Sequence, residues 1–182
     1  LVDRAPATQQ VFIVLARPDG PWAVLGSSLV STGQAGRRGC YITPTGVFPH
    51  TTAILDWRAQ GTPNAEGIRG LGARGSRIWD FGWVTAQRGW RVDDAPGPMR
   101  LLIHATDPDQ LEQRLGQPAS QGCVRVSASM NHFLDHHGVL DAEHEAAAAR
   151  GERRFAALLA PDREPTPLAG RAMVVIDTAE AP

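Results

Sequence analysis

The chain has 182 residues, 42% of them apolar, which is enough for one globular domain with a hydrophobic core. Its formal net charge of −1 gives no electrostatic reason to bind nucleic acid or an anionic membrane surface. All 18 basic residues are arginines, which excludes a lysine nucleophile or Schiff base within this chain. No apolar run approaches the roughly 18 residues that a membrane span needs, so we expect no membrane-spanning helix.

Short strands separated by turns dominate the predicted secondary structure. We predict strands at 11–15, 22–25, 28–31, 41–43, 47–48, 51–57, 78–85, 89–92, 99–104, 124–126 and 171–177. Residues 59–76 are rich in glycine and predict a long surface loop. Helices are predicted at 107–115, 127–137 and 141–159, the second capped by Ser127 and ended by Gly138. The pattern predicts a mainly β domain with a few helices and no internal repeat.

One thiol and one imidazole carry most of the chemical information. Cys123 lies in Ser120-Gln121-Gly122-Cys123-Val124-Arg125, and His104 ends the strand predicted at 99–104. In acyl transfer through a thioester, a thiolate attacks a carbonyl while an imidazole takes the thiol proton. The N–H groups at Gly122 and Cys123 are expected to hold the developing oxyanion. This arrangement predicts a cysteine nucleophile with a histidine base.

The same segment resembles the catalytic domain of the L,D-transpeptidases, the family also called YkuD-like. That family has a His and, after a short gap, Ser/Thr-x-Gly-Cys-hydrophobic-Asn/Arg. A second landmark, a Ser-Thr-Gly strand end and then Thr-Pro-x-Gly-x-Phe, is matched by Ser31-Thr32-Gly33 and by 43–48. The resemblance covers roughly residues 10–140 and a closing strand near 172–176. It implies a β-rich sandwich in which 1–182 form one catalytic domain, with a helical insertion at about 141–170.

The resemblance also implies an activity, peptidoglycan L,D-transpeptidation, with peptidoglycan stem peptides as partners. In such enzymes the Cys attacks the third residue of a tetrapeptide stem, usually meso-diaminopimelate, and releases D-Ala. The acyl thioester then passes to an amine, which forms a cell-wall cross-link. By matched position, Cys123 would be the nucleophile and His104 the base and then the acid. No metal or organic cofactor is required, carbapenems are expected inhibitors, and the implied location is the periplasm or cell envelope.

Several alternatives stay open from the sequence. The cross-link is either 3→3 or, in a divergent branch, 1→3, and the acceptor is diaminopimelate, a free D-amino acid or a lipoprotein lysine. Hydrolysis by the same site would make the protein an L,D-carboxypeptidase or endopeptidase. A peptidoglycan-binding module without catalysis would keep the fold alone, although an intact Cys and His argue against it.

Two neighbours of the main residues each have two possible roles. Ser120 either binds within its loop or helps to bind the stem peptide, and Arg125 either meets a substrate carboxylate or pins the loop. Ala105 follows His104 where the family often has Gly or Ser, so the group that orients the imidazole is expected to be a backbone carbonyl or Asp107. Gln121 stands where the family often has His or Lys.

We expect the thiol and the imidazole to ionise as a coupled pair. An imidazolium beside Cys123 would lower the pKa of the thiol and raise the pKa of His104. The second cysteine, Cys40, offers a disulfide as the alternative use of both thiols. We favour a free Cys40 in the loop that ends at residue 40 or at the start of the next strand.

Other chemistry-bearing side chains favour structural interpretations. His132 and His136 have the i,i+4 spacing of a metal-binding helix but lack the intervening Glu, so with His137 they predict a solvated helix face. His50 is placed near the cleft only by its neighbourhood. A set of aromatic residues is expected mainly in the core, with lining of the cleft as the alternative: Trp79, Phe81, Trp83 and Trp90.

Overall fold

Nine strands and three helices make up the described part of the chain, residues 1–91 and 95–180 of a computed structural model. The strands are β1 (Val2–Asp3), β2 (Gln10–Leu15), β3 (Ala23–Leu29), β4 (Gly46–Pro49), β5 (Trp57–Arg58), β6 (Arg77–Gln87), β7 (Pro96–Ala105), β8 (Val124–Val126) and β9 (Ala172–Ile176). The helices are α1 (Ala128–His136), α2 (Ala142–Ala149) and α3 (Arg153–Leu158), and Glu112–Arg114 form one 3₁₀ turn.

Two mixed sheets form the architecture. One has five strands in the order β3-β2-β1-β9-β4, and the other has four in the order β5-β6-β7-β8. The last strand, β9, runs parallel to β1 and antiparallel to β4 and therefore lies between them inside the first sheet. The mainly β, sandwich-like fold expected from the sequence is confirmed.

The core explains which way the side chains of the central strands point. Ile103 of β7 and both valines of β8, Val124 and Val126, are buried in one apolar cluster with Trp79 and Met173. Since side chains alternate between the two faces of a strand, the residues between these point to the opposite face of the second sheet. That opposite face carries the candidate site.

Most predicted elements are confirmed, with some corrections. The predicted strands 22–25 and 28–31 are one strand, β3, and 41–43 contribute only a bridge from Tyr41 to Arg88. Of 51–57, only residue 57 is in a strand, because the segment turns inward to bury Asp56. Of 89–92, residues 89 and 90 form a turn, and 92 lies outside the described residues.

Two predicted helices differ from the structure for local reasons. At 107–115 the Asp107 side chain accepts the N–H of Asp109 at 2.9 Å, a local bond that competes with helix formation, and only a 3₁₀ turn follows. The helix predicted at 141–159 is split into α2 and α3 at Gly151, which has φ +90°. The helix predicted at 127–137 is confirmed, and Ser127 accepts the N–H of Met130 as its cap.

A buried ionic cluster connects α2 to the second sheet. Arg77 is fully buried, and its Nη2 lies 2.8 Å from Asp56 Oδ2 and 3.0 Å from Asp141 Oδ1. His50 Nε2 lies 2.9 Å from Asp56 Oδ2, and His144 Nδ1 lies 3.2 Å from Arg77 Nη2. The two histidines and two aspartates have ligand atoms within 4.8 Å of one another, but the guanidinium already contacts three of these groups. The cluster therefore links β6 to the start of α2 through ionic contacts.

We predict that Arg77→Met lowers the free energy of unfolding by about 3–5 kcal/mol, because it leaves two buried carboxylates without their cation. Urea denaturation followed by tryptophan fluorescence measures the change. The matched control is Arg150→Met, which removes an exposed partner of Glu152 and should change the stability by less than about 1 kcal/mol. An equal effect of both substitutions would contradict the role given to the cluster.

Candidate active site

The parallel pairing of β7 with β8 brings the two halves of the sequence motif together. Ile103 pairs with Val124 and His104 pairs with Arg125. Cys123, one residue before β8, therefore stands opposite Leu102, and the alternation of side chains puts Cys123 and His104 on the same face of the sheet. The sequence-predicted pair thus lies on two adjacent strands, in neighbouring positions.

The thiol of Cys123 sits in an apolar setting at the edge of this face. It packs against buried Ala59, Ile78 and Leu102, and its Sγ lies 3.7 Å from the carbonyl oxygen of Arg100. Burial raises the pKa of the Cys123 thiol, and this outweighs the opposite effect of Arg125. The resting cysteine is therefore a protonated thiol at neutral pH.

The imidazole of His104 is buried, and its tautomer follows from its one backbone contact. Its Nδ1 lies 2.7 Å from the carbonyl oxygen of Ala105, which can only accept, so Nδ1 carries the proton and Nε2 keeps its lone pair. Burial lowers the pKa of His104 to about 4, and the charge of Arg125 contributes in the same direction. His104 is therefore an uncharged base at neutral pH.

These directions overturn the expected thiolate–imidazolium pair. The expectation required a lowered thiol pKa and a raised imidazole pKa, and both shifts have the opposite sign. The physical reason is desolvation, since burial penalises the charged form of both groups. The group that orients His104 is the Ala105 carbonyl, which is one of the two alternatives that the sequence left open. Asp107, the other, pairs with Arg69 instead.

Ser120 holds the loop that carries the thiol. Its Oγ donates to the carbonyl oxygen of Cys123 at 2.6 Å and accepts the N–H of Gly122 at 3.0 Å. Of the two roles considered for this serine, the contacts favour the one inside the loop. The Gly122 N–H is consequently engaged, which argues against its predicted role as an oxyanion donor.

Gly122 is required here by its backbone conformation and its surroundings. Its φ is +132°, and a Cβ at this position would lie 2.8 Å from Cε and Sδ of buried Met99. Its carbonyl oxygen accepts from Thr43 Oγ1 at 2.7 Å, and the same hydroxyl accepts the N–H of Gly33 at 2.8 Å. Thr43 and Gly33, which belong to the second sequence landmark, therefore hold the loop that carries the thiol.

Arg125 brings a positive charge to the same face without a carboxylate partner. Among residues 1–91 and 95–180 it forms no ion pair, and its Nε is buried without a hydrogen-bond partner. Its one side-chain hydrogen bond in that part of the chain runs from Nη1 to the Ala119 carbonyl at 3.5 Å. An internal ion pair that pins the loop, one of the two roles considered, is absent from the described residues.

The remaining candidates lie away from the thiol, except for Trp83. His50 belongs to the ionic cluster and not to the cleft, and Cys40 is a free, buried cysteine, so no disulfide joins the two thiols. Trp79 and Phe81 are in the core, as expected, whereas Trp83 is 70% exposed.

The three helix histidines are not joined into an i,i+4 metal site. His136 and His137 approach Glu164, whose side chain is largely exposed, and His132 stacks on His136. Arg100 and Asp80 also lie on the face of Cys123, and the sequence did not point to either of them. No pattern in the sequence reports that Asp80, which pairs with Leu102 across the sheet, holds the Arg100 guanidinium.

We predict that alkylation of Cys123 by iodoacetamide follows one ionisation with a midpoint above the ordinary thiol value of about 8.5. The raised pKa means that the reactive thiolate appears only as pH rises past that value. His104→Ala should leave this midpoint nearly unchanged, because the imidazole is uncharged throughout pH 5–10. Measurements in a Cys40→Ala background isolate Cys123. A midpoint near 6 that moves upward in His104→Ala would instead support an ion pair.

Comparison with known sequences gives one match. Residues 3–139 match the family described as YkuD, L,D-transpeptidase catalytic domain. A search of curated proteins finds no match. The matched range contains the thiol loop, His104 and both supporting landmarks, and it covers well over half of the chain. The chain therefore belongs to the L,D-transpeptidase catalytic domain family.

Proposed function

We propose that this protein is a peptidoglycan L,D-transpeptidase, a cysteine acyltransferase that contributes to cell-wall biogenesis and cell shape. The observation that carries the proposal is the placement of Cys123 and His104 on one face of adjacent parallel strands, within a chain of this family. A family that acts on peptidoglycan supplies the substrate class. The tetrapeptide stem is the acyl donor, and D-Ala is the leaving group.

The first half-reaction starts from two uncharged groups. As Sγ of Cys123 attacks the stem carbonyl, the thiol proton passes to Nε2 of His104, and the carbonyl π electrons move to the oxygen. The imidazolium, stabilised at Nδ1 by the Ala105 carbonyl, then protonates the departing amine of D-Ala as the C–N bond breaks. A thioester on Cys123 remains.

The second half-reaction runs the same proton transfers in reverse. The incoming amine attacks the thioester carbonyl, His104 accepts its proton, and Sγ leaves and is reprotonated. The oxyanion of both steps is assigned to the N–H of Cys123, since the Gly122 N–H already donates to Ser120. Because His104 acts as the base during the reaction, Cys123 does not need to be a thiolate before substrate binds.

Arg125 is the proposed partner of a carboxylate near the reacting amine. Its pairing with His104 across β7 and β8 supports a role for the guanidinium on the side where amines would leave and enter. D-Ala and any D-centre acceptor both carry a carboxylate next to the amine, and a guanidinium fork suits that group. The lack of a described ion-pair partner leaves its charge available.

The location follows from the substrate in this proposal. Peptidoglycan lies outside the cytoplasmic membrane, so the protein would act in the periplasm or cell envelope. Among the described residues, no helix is both long and apolar enough to cross a membrane.

We predict that Cys123→Ala abolishes cross-link formation on peptidoglycan that contains tetrapeptide stems, because no other thiol faces the site. Analysis of muropeptides after incubation measures it. Dimers indicate a transferase, tripeptides a hydrolase, and no change a binding module. Cys40→Ala is the matched control and should keep most of the activity, since Cys40 is buried elsewhere. Cross-linking by a folded Cys123→Ala protein would overturn the proposal.

A further inference from the structure

A β-bulge turns an exposed tryptophan onto the face that carries the thiol. Asp80 pairs with Leu102 and Trp83 pairs with Arg100, so three steps along β6 match two steps along β7. In a regular strand Asp80 and Trp83 would point to opposite faces, because they are an odd number of residues apart. The extra residue puts both on the face of Arg100, Leu102 and Cys123.

Specific contacts hold the bulge in place. Gly82, inside the bulge, has φ +81°, and a Cβ there would lie 2.9 Å from Ile54 Cδ1. Its N–H donates to Asp80 Oδ1 at 2.8 Å, and Asp80 Oδ2 accepts from Nε of Arg100 at 2.8 Å and also from Nη2. The Asp80 carboxylate is buried, so these two hydrogen bonds to one of its oxygens fix the guanidinium above it.

Two indole rings flank the fixed guanidinium. Its Cζ lies 5.9 Å from the ring centroid of Trp57 and 6.0 Å from that of Trp83. The Arg100 side chain is 43% exposed and Trp83 is 70% exposed, so the group opens to solvent. Within the described part of the chain, Nη1 of Arg100 donates to no acceptor. Among the described residues Trp83 is the most exposed large apolar side chain, and it lies beside a guanidinium edge that has no acceptor there.

The order of residues along β7 shows which part of a substrate reaches this group. Leu102 stands opposite Cys123, His104 lies two residues further on, and Arg100 lies two residues before, each step being about 6.6–6.8 Å. Amines leave and enter at the His104 end, because His104 moves their protons. The Arg100 end therefore faces the part of the acyl donor that stays bonded to the thiol.

We propose that Arg100, flanked by Trp57 and Trp83, is a specificity-determining residue that binds a free carboxylate on the side chain of the acyl donor. The inference rests on the proposed transpeptidase function. Diaminopimelate has such a carboxylate, remote from the carbonyl that is attacked, and lysine does not. The guanidinium binds the carboxylate, and the indole rings pack against the methylene groups that lead to it. The site thus selects diaminopimelate stems over lysine stems.

The test compares two tetrapeptide donors that differ only in diaminopimelate or lysine at the third position. Release of D-Ala gives kcat/KM for each donor with a fixed acceptor. The parent should favour the diaminopimelate donor by about 10- to 100-fold, the range expected for a hydrogen bond to a charged group. Arg100→Gln should reduce this ratio to below about threefold, by lowering kcat/KM for the diaminopimelate donor alone.

Two further variants keep the test decisive. Because Arg100→Gln leaves Asp80 buried without its partner, Arg100→Gln combined with Asp80→Asn removes both charges and should lose the preference in the same way. Arg154→Gln, an exposed arginine on α3, should keep the ratio of the parent. Iodoacetamide should alkylate Cys123 to completion in all of these proteins, which separates donor recognition from loss of the thiol site.

The outcomes separate this inference from the proposed function. A parent that does not distinguish the two donors, or Arg100 variants that keep the preference of the parent, would overturn the inference while thioester formation still upheld the function. A parent that forms no thioester with either donor would overturn the proposed function, and the donor site with it.

Discussion

The in-register parallel pairing of β8 with β7 is the interaction on which the site depends. Val124 and Val126 enter the core opposite Ile103 and Ala105, and this burial fixes the register, since a slip by one residue would turn every side chain to the other face. Cys123 and His104 share a face as a direct result. Thr43 and Ser120 then hold the loop that precedes β8, so that the thiol meets the sheet edge in one conformation.

Burial sets the chemistry of this face as well as its geometry. The half-buried thiol packs against the cluster of Ala59, Ile78 and Leu102, His104 is buried, and desolvation favours the uncharged form of both groups. In the proposed mechanism an uncharged pair reacts slowly with general electrophiles, and the thiol proton passes to Nε2 only as Sγ bonds to the carbonyl carbon of a bound stem. In the proposed reaction the two guanidiniums on either side of the thiol mark its two ends, with amines at Arg125 and the retained acyl chain at Arg100.

Much of this was predictable from the sequence, and the exceptions have physical causes. The strand that delivers His104, the helix capped by Ser127 and the motif around Cys123 were predicted because apolar runs, caps and glycines are local signals. The signs of the two pKa shifts were predicted wrongly, because they depend on burial by residues distant in sequence, such as Ala59. Trp83 on the thiol face was expected only as the alternative to a core position, because a single extra residue in β6 reverses which face the tryptophan takes. Asp80 and Gly82 stabilise this bulge through contacts that no periodicity shows.

The central claim is that this sheet face holds an uncharged imidazole, protonated at Nδ1, beside an uncharged thiol. NMR titration of His104, with its ring labelled with ¹⁵N and ¹³C and assigned by comparison with His104→Gln, tests it directly. The account predicts the neutral Nδ1–H tautomer from pH 8 down to pH 5 and protonation only near pH 4. A His104 ring that is charged at pH 7 and loses that charge when Cys123 is replaced by alanine would contradict it.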